Sequence, residues 1–354
     1  MKKLTILYSR LTGYTAACQR ALKNDHGVGL QVFHWTSPSE TPFGQSILQH
    51  IDQIHDRKHL DAHSLAAAVS DFQPDAILVS GWVDRTYLRL CASMRKKGIP
   101  VIAGSDSQWR GTLRQQLGRL AAPILLHPAI DVLWVTGERQ REMARRLGYR
   151  GQTCWEGYYA CDWDRFSING PRSYPGSGPF FLFAGRFVAA KGLNILVQAY
   201  RQYRAAVSDP WPLICVGAGK RGTVLEGVTG LENRGFVPPD ELPKIMHQAG
   251  AFVLPSRWEP WGVAIQEAAA AGLPLICSDA CGAAVHLLRD GYNGFLFTSE
   301  DAEELARALL RVHMLNVSTW EQMSQRSHEL SKQYTPSLWA STLVNGVSSL
   351  RAHS

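Results

Sequence analysis

The stretch "AFVLPSRWEPWGVAIQEAAAAGLPLICSD", residues 251–279, decides how the chain is read. Residues 251–256 are an apolar run that ends in Pro255-Ser256, as a buried strand does where it meets a loop. Residues 263–271 are strong helix formers, closed by Gly272 and Pro274 in the order of a helix C-terminus. A second apolar run, 274–279, follows directly. Strand, loop, helix and strand in this order indicate parallel α/β architecture. Two carboxylates lie in the stretch. Glu259 falls in the loop, and Glu267 about one turn inside the helix.

Outward from this unit the same alternation covers the chain. In the first half, residues 4–9, 30–35, 76–81, 100–105 and 132–137 read as strands, with helical patterns at 60–72 and 138–149 between them. Residues 168–179 are rich in Pro, Gly and Ser and read as an exposed linker. The alternation then restarts with strands at 180–185, 212–217, 251–256 and 274–279. The expectation is two Rossmann-like, doubly wound parallel-sheet domains, 1–167 and 180–335, facing a central cleft. Ligands in such sheets bind beyond the carboxyl ends of the strands.

Of the net charge of +7, residues 1–170 carry +6, with 21 Lys and Arg against 15 Asp and Glu. A basic first half fits an anionic surface, either a membrane or a phosphorylated acceptor, or simply a solvated face. No nucleic-acid partner is expected. The cysteines are scattered and form no C-x-x-C pair, which predicts reduced, mostly buried thiols in a cytoplasmic protein. The opening "MKKLTILYSR" is too short in its apolar run for a signal peptide and reads as a first strand. No uncharged apolar stretch approaches the ~18 residues of a membrane span.

Three loops at strand ends in the second half carry chemistry. In "FLFAGRFVAAKGL", 181–193, a strand ends at Gly185, Arg186 follows, and Lys191 stands near the next helix. A guanidinium fork and a compact ammonium suit a diphosphate, although solvated cations in a loop are the commoner case. "ICVGAGKRG", 214–222, contains G-x-G-x-x-G. It follows the second strand of its domain rather than the first, so it reads as a Gly-rich turn and not a dinucleotide fingerprint. The third loop is the segment containing Glu259. Backbone amides at Trp261, Gly262 and Val263 open the following helix, whose positive end can receive phosphate or sugar oxygens.

These features together, Arg186 with Lys191, Glu259-Pro260-Trp261-Gly262 with Glu267, and "AAGLPLICSDACGAAVHLLRDGYNGFLF" (270–297), resemble glycosyltransferase family 4. Its members are retaining, sugar-nucleotide-dependent enzymes of the GT-B fold. The resemblance is dense over 180–335 and extends weakly into "GERQREMARRLGY" and "EGYYACDWDRF". It implies that Arg186 and Lys191 hold the donor diphosphate, that Glu259 contacts the transferred sugar, and that Glu267 contacts the ribose. It places Gly185, Val237, Trp261, Gly262 and Val263 around the donor, with Gly13 near the phosphates. It also implies that a terminal helix, about 336–354, packs back on the first domain. The chain departs from the pattern at Trp261, where phenylalanine is usual, and at Asp106, where many members have a histidine over the sugar.

The implied reaction is transfer from a nucleotide-diphosphate sugar to an acceptor hydroxyl with retention, in envelope polysaccharide or glycolipid synthesis. No cofactor and no metal are expected, because Arg186, Lys191 and the helix end supply the charge that the leaving diphosphate needs. A glycoside hydrolase would place its carboxylates on opposite sides of the scissile bond, which one short segment does poorly. A sugar-nucleotide epimerase of GT-B fold and a non-catalytic sugar-nucleotide binder are the competing readings. The acceptor is a glycan, a lipid-linked molecule or a small molecule. "SQWRGTLRQQLGRLAAPILL", 107–126, puts Trp109, Leu113, Leu117 and Leu120 at helical spacing among arginines. It reads either as a packed helix or as one lying on an anionic membrane at the inner face.

Overall fold

The computed structural model describes residues 1–9, 11–35, 50–168, 170, 172–176 and 178–352. They form two compact units, Met1–Cys161 with Pro336–Ser354, and Asp162–Thr335.

The first unit is built on strands β1 (Lys3–Leu7), β2 (Gly29–His34), β3 (Gln53–Asp56), β4 (Ala76–Ser80), β5 (Val101–Ser105), β6 (Val132–Val135) and β7 (Cys154–Glu156). Its helices are α1 (Gly13–His26), α2 (Ala62–Phe72), α3 (Arg85–Lys96), α4 (Leu113–Leu125) and α5 (Glu138–Arg146). The strands pair in parallel in the order β3-β2-β1-β4-β5-β6-β7. Period-2 alternation divides the core between the two faces of this sheet. Leu4, Ile6, Leu78 and Trp134 point to one face and Leu7, Ile77, Val79 and Ala103 to the other, all buried. Both faces of the central strands are covered, which is why β1, β2, β4, β5 and β6 read as largely apolar runs.

The second unit begins with α6 (Trp163–Phe166) and contains β8 (Phe181–Ala184), α7 (Leu193–Ala206), β9 (Leu213–Val216), β10 (Leu231–Gly235), α8 (Leu242–Gln248) and β11 (Ala251–Leu254). It continues through α9 (Val263–Ala270), β12 (Leu275–Ser278), α10 (Ala284–Leu287), β13 (Gly294–Phe297), α11 (Ala302–His313) and α12 (Val317–Ser331). Its parallel sheet has the order β10-β9-β8-β11-β12-β13. The closing helix α13 (Pro336–Ala352) lies in the first unit, where Trp339, Leu343 and Val347 are buried with the residues of α1. The Trp339 ring stacks on Trp134 at 4.9 Å, and its indole N–H donates to the Tyr158 carbonyl at 2.7 Å.

Both sheets therefore have the doubly wound strand order of Rossmann-like domains, the arrangement of the GT-B fold. Four strands appear where the sequence suggested none, β3, β7, β10 and β13, and all four are sheet edges. The unit boundary falls between Cys161 and Asp162. The stretch 168–179, expected to be an exposed linker, is held in the second unit by Arg172. That side chain is buried and donates to the carbonyls of Ala271, Gly272, Met246, His247 and Ala249. Trp109, expected on a helix, precedes α4 and packs against the Arg146 guanidinium at 4.7 Å. Among the described residues, no helix is long and apolar enough to cross a membrane.

Candidate functional site

In the second sheet the strand order reverses between β8 and β11, the switch point beyond whose carboxyl ends such sheets bind ligands. The loop after β8 holds Gly185, Arg186 and Lys191, and the loop after β11 holds Glu259. Backbone contacts latch the two loops together. The Arg257 amide donates to the Ala190 carbonyl at 2.8 Å. Gly192 lies so close to β11 that a Cβ there would meet the Pro255 carbonyl oxygen at 1.9 Å. Its φ of 67° adds a second reason for glycine at this position.

The glycines of the 217–222 turn have the same kind of cause. A Cβ on Gly217 would meet the Gly185 carbonyl oxygen at 1.9 Å, and one on Gly219 the Phe187 oxygen at 2.4 Å. The G-x-G-x-x-G pattern thus reflects the seating of this turn against the Arg186 loop. Phe187 of that loop exchanges backbone bonds with the turn, donating to the Ala218 carbonyl at 2.8 Å and accepting from the Arg221 amide at 3.0 Å.

Lys191 and Glu259 meet as an ion pair, with only 14% and 13% of their side chains exposed. The Glu259 carboxylate also accepts from the Ser256 hydroxyl at 3.4 Å. Below the pair, the Ser278 hydroxyl donates to the Ser256 carbonyl at 2.5 Å, and Cys281 is buried against the same loop. Burial pushes the Cys281 thiol up to about 11, so it stays neutral beside Lys191 and Glu259. The Glu259 loop is zipped to the loop after β12: Gly282 N donates to Glu259 O at 3.0 Å and Ala283 N to Trp261 O at 2.8 Å. Gly185 stands beside the pair, since a Cβ there would lie 3.7 Å from the Lys191 Cε. Arg186, by contrast, is exposed at the end of β8.

Helix α9 starts directly after this pair. Gly262, at φ 103°, turns the chain into it, and Val263 is its first residue. The Ile265 amide donates to the Gly262 carbonyl at 2.9 Å, and the amides before it in the first turn have no acceptor within the helix and form its positive end. Trp261 points the other way. Its ring is buried, with His286 at 5.6 Å and Tyr334 at 5.5 Å, so only its backbone is left to face a ligand.

Glu267 is half-buried in α9. Loss of solvent, and then the nearby Asp162, raise its carboxyl to about 7 from an ordinary 4.5. Asp162 stands directly before α6, which packs on α9, and the sequence singled it out for no role. Val237 lies just past β10, half-buried.

Gly13 and Asp106 belong to the first unit, also at strand carboxyl ends. Gly13 is the first residue of α1, and Thr12 caps that helix. Asp106 follows β5 and accepts from the Tyr159 hydroxyl at 3.4 Å, and the Tyr159 ring meets Tyr14 edge-on at 5.2 Å. Gly13, Tyr14, Asp106 and Tyr159 thus form one neighbourhood, whose tyrosines the sequence reading did not single out. Burial, with Asp106 nearby, raises both phenols.

The comparison with known proteins concentrates on the second unit. Residues 167–329 match the family model described as glycosyl transferases group 1. An uncharacterized glycosyltransferase, MJ1607, of Methanocaldococcus jannaschii is 28% identical over 173 residues, 46% of this chain and 43% of that protein. The putative colanic acid biosynthesis glycosyltransferase WcaL of Salmonella typhimurium is 28% identical over 180 residues, 48% of this chain and 44% of that protein. The chain therefore spans less than half the length of these relatives. Among solved structures, Anabaena Alr3699/HepE in complex with UDP superposes with a TM-score of 0.78 at 18% identity, covering 99% of this chain and 100% of that one. Sucrose-phosphate synthase from Thermosynechococcus elongatus gives 0.75 at 18% identity, covering 100% of each. Arg186, Lys191, Glu259 and Glu267 all fall within the match to the glycosyl transferases group 1 model, and the chain as a whole has the GT-B fold.

Proposed function

We propose that this chain is a retaining glycosyltransferase of family 4. It moves a sugar from a nucleotide-diphosphate sugar to an acceptor hydroxyl without a metal ion. The observation that carries this reading is the Lys191–Glu259 pair at the strand-order reversal, beside the amino end of α9 and inside the matched region. In the proposed complex Lys191 and Arg186 take the diphosphate, with the first amides of α9 beside them. Glu259, released from Lys191, accepts from hydroxyls of the sugar, and Glu267 accepts from the ribose.

The bond between C1 of the sugar and the phosphate oxygen breaks, and the new bond forms on the same face of C1. The acceptor proton passes to an oxygen of the leaving phosphate. The cations stabilise charge that grows on that phosphate in the transition state, which is where fixed charge accelerates a reaction. Glu259 orients the sugar and is not a nucleophile. That the Anabaena neighbour was also solved with UDP-glucose supports a sugar nucleotide as donor, and the likeness to WcaL, a putative colanic acid biosynthesis glycosyltransferase, supports a glycan product. A lipid-linked acceptor at the inner face of a membrane, with the protein cytoplasmic, completes the proposal.

A thermal-shift screen of UDP, GDP and ADP and their sugar conjugates, in EDTA, tests it. A ligand at 100 times its dissociation constant adds about 2.7 kcal/mol, well within detection. One nucleotide family is expected to stabilise the chain, with release of the free diphosphate on turnover. A changed sugar on an intact diphosphate would make the protein an epimerase instead.

A further inference from the structure

Helix α4 is amphipathic in the wrong sense for a packed helix. At about 100° per residue, Leu113, Leu117, Leu120 and Ile124 form one stripe along it. These side chains are 83%, 67%, 71% and 78% exposed, and neighbouring Leu125 is 60% exposed. The face that packs inward is small and polar by comparison. Ala122 is buried there, and Gln115 uses its side chain to bond the Arg110 amide and the Gln108 carbonyl. The leucine stripe points directly away from that face. Single exposed leucines are ordinary, but an aligned row of them on one helix marks an interaction surface.

The charge around the stripe identifies the occupant. Arg114 and Arg119 flank it on opposite sides, both exposed. Arg119 shares one surface depression with Arg145, Arg146 and Arg150, and Glu142 is its one acidic lining residue. Glu142 pairs with Arg146 at 2.6 Å and with Arg145 at 3.3 Å, which leaves the group strongly positive. A second copy of this chain would bring the same arginines against themselves. An apolar stripe bordered by arginines suits a bilayer surface with anionic headgroups, where the leucines enter the acyl region and the arginines stay with the phosphates.

We propose that α4 docks this chain on a membrane that carries anionic lipid, with the arginine cluster of α4 and α5 seated on lipid phosphates. This deepens the transferase reading, on which it rests for its purpose, by bringing the first unit to a lipid-borne acceptor.

The test is co-sedimentation of the full chain with vesicles of phosphatidylcholine alone or mixed with phosphatidylglycerol. The wild type is expected to pellet with the mixed vesicles at low salt, to be released by high salt, and to bind phosphatidylcholine weakly. The double variant Leu117→Ser, Leu120→Ser alters only exposed side chains and should lower vesicle affinity roughly tenfold or more. Arg145→Ser with Arg150→Ser should weaken binding and flatten its salt dependence. A wild type that stays in the supernatant, or a leucine variant that binds as well as the wild type, overturns the proposal. So does a wild-type dimer that the leucine variant turns into a monomer while vesicles bind neither. The thermal shift induced by whichever of UDP, GDP and ADP stabilises the chain, read on the same samples, separates this from the donor site. An unchanged shift in the leucine variant shows an intact fold and assigns lost vesicle binding to the helix. Vesicle binding without any nucleotide shift contradicts the transferase reading and leaves the docking surface standing.

Discussion

At the residue scale, Lys191 and Glu259 hold each other in the structure, and each has a separate duty in the proposed complex. Lys191→Ala should lower transfer by roughly 10²–10³-fold, the cost of losing one preorganised charge at a transition state. Glu259→Gln should reduce turnover while leaving affinity for the free nucleotide diphosphate nearly intact, since that ligand carries no sugar. Glu267 gives a pH signature. Its carboxyl is raised to about 7 against 4.5 for an ordinary glutamate, so between those values the folded chain keeps a proton that the unfolded chain has lost. Its effect on stability therefore grows less favourable as pH rises through that window and levels off above about 7. Melting temperature against pH should flatten there in Glu267→Gln, with the variant more stable than wild type at pH 8. An unchanged profile would contradict the assignment. The loop residues of this site were legible because strand ends, Pro-Trp-Gly and Gly-Leu-Pro punctuate the sequence around them. Asp162 was not, because it reaches Glu267 only through the packing of α6 on α9, and the Tyr159 contact with Asp106 likewise joins distant segments.

At the element scale, the central strands were legible and the edge strands were not. A strand buried on both faces must be apolar throughout, whereas β3 and β10 are polar and largely exposed and β7 spans Cys154–Glu156 alone. Nothing in such sequences demands a strand until a neighbour offers its hydrogen bonds. The Gly-rich turn was readable as a turn, but the reason for its glycines, the close approach of the Arg186 loop, exists only in three dimensions. Arg172 is a similar case. Within a run of Pro, Gly and Ser it looked solvated, yet its guanidinium donates to carbonyls at the ends of both α8 and α9 and lies over the Trp320 ring at 5.2 Å. Arg172→Met should destabilise the second unit by about 3 kcal/mol, since several buried carbonyls lose a charged donor together. A calorimetric melt that resolves no loss would show that these carbonyls find other partners.

At the scale of the whole molecule, the doubly wound order explains why the chemistry gathers where it does. In each unit the candidate residues leave the carboxyl ends of central strands: Gly13 and Asp106 after β1 and β5, and Arg186, Lys191 and Glu259 after β8 and β11. The duplication of architecture was visible as a restart of alternation after residue 180. The positive excess of the first half now has a location in part, on α4 and α5 around the exposed leucine stripe. In the proposed reaction the second unit holds a sugar nucleotide by its diphosphate and transfers its sugar. The most direct measurement is release of nucleotide diphosphate from the stabilising sugar nucleotide, in EDTA, by wild type and by Lys191→Ala. The wild type should release it with the chelator present, and the variant should lose at least about a hundredfold. Equal release by the two proteins, or release only when a divalent metal is restored, would contradict it.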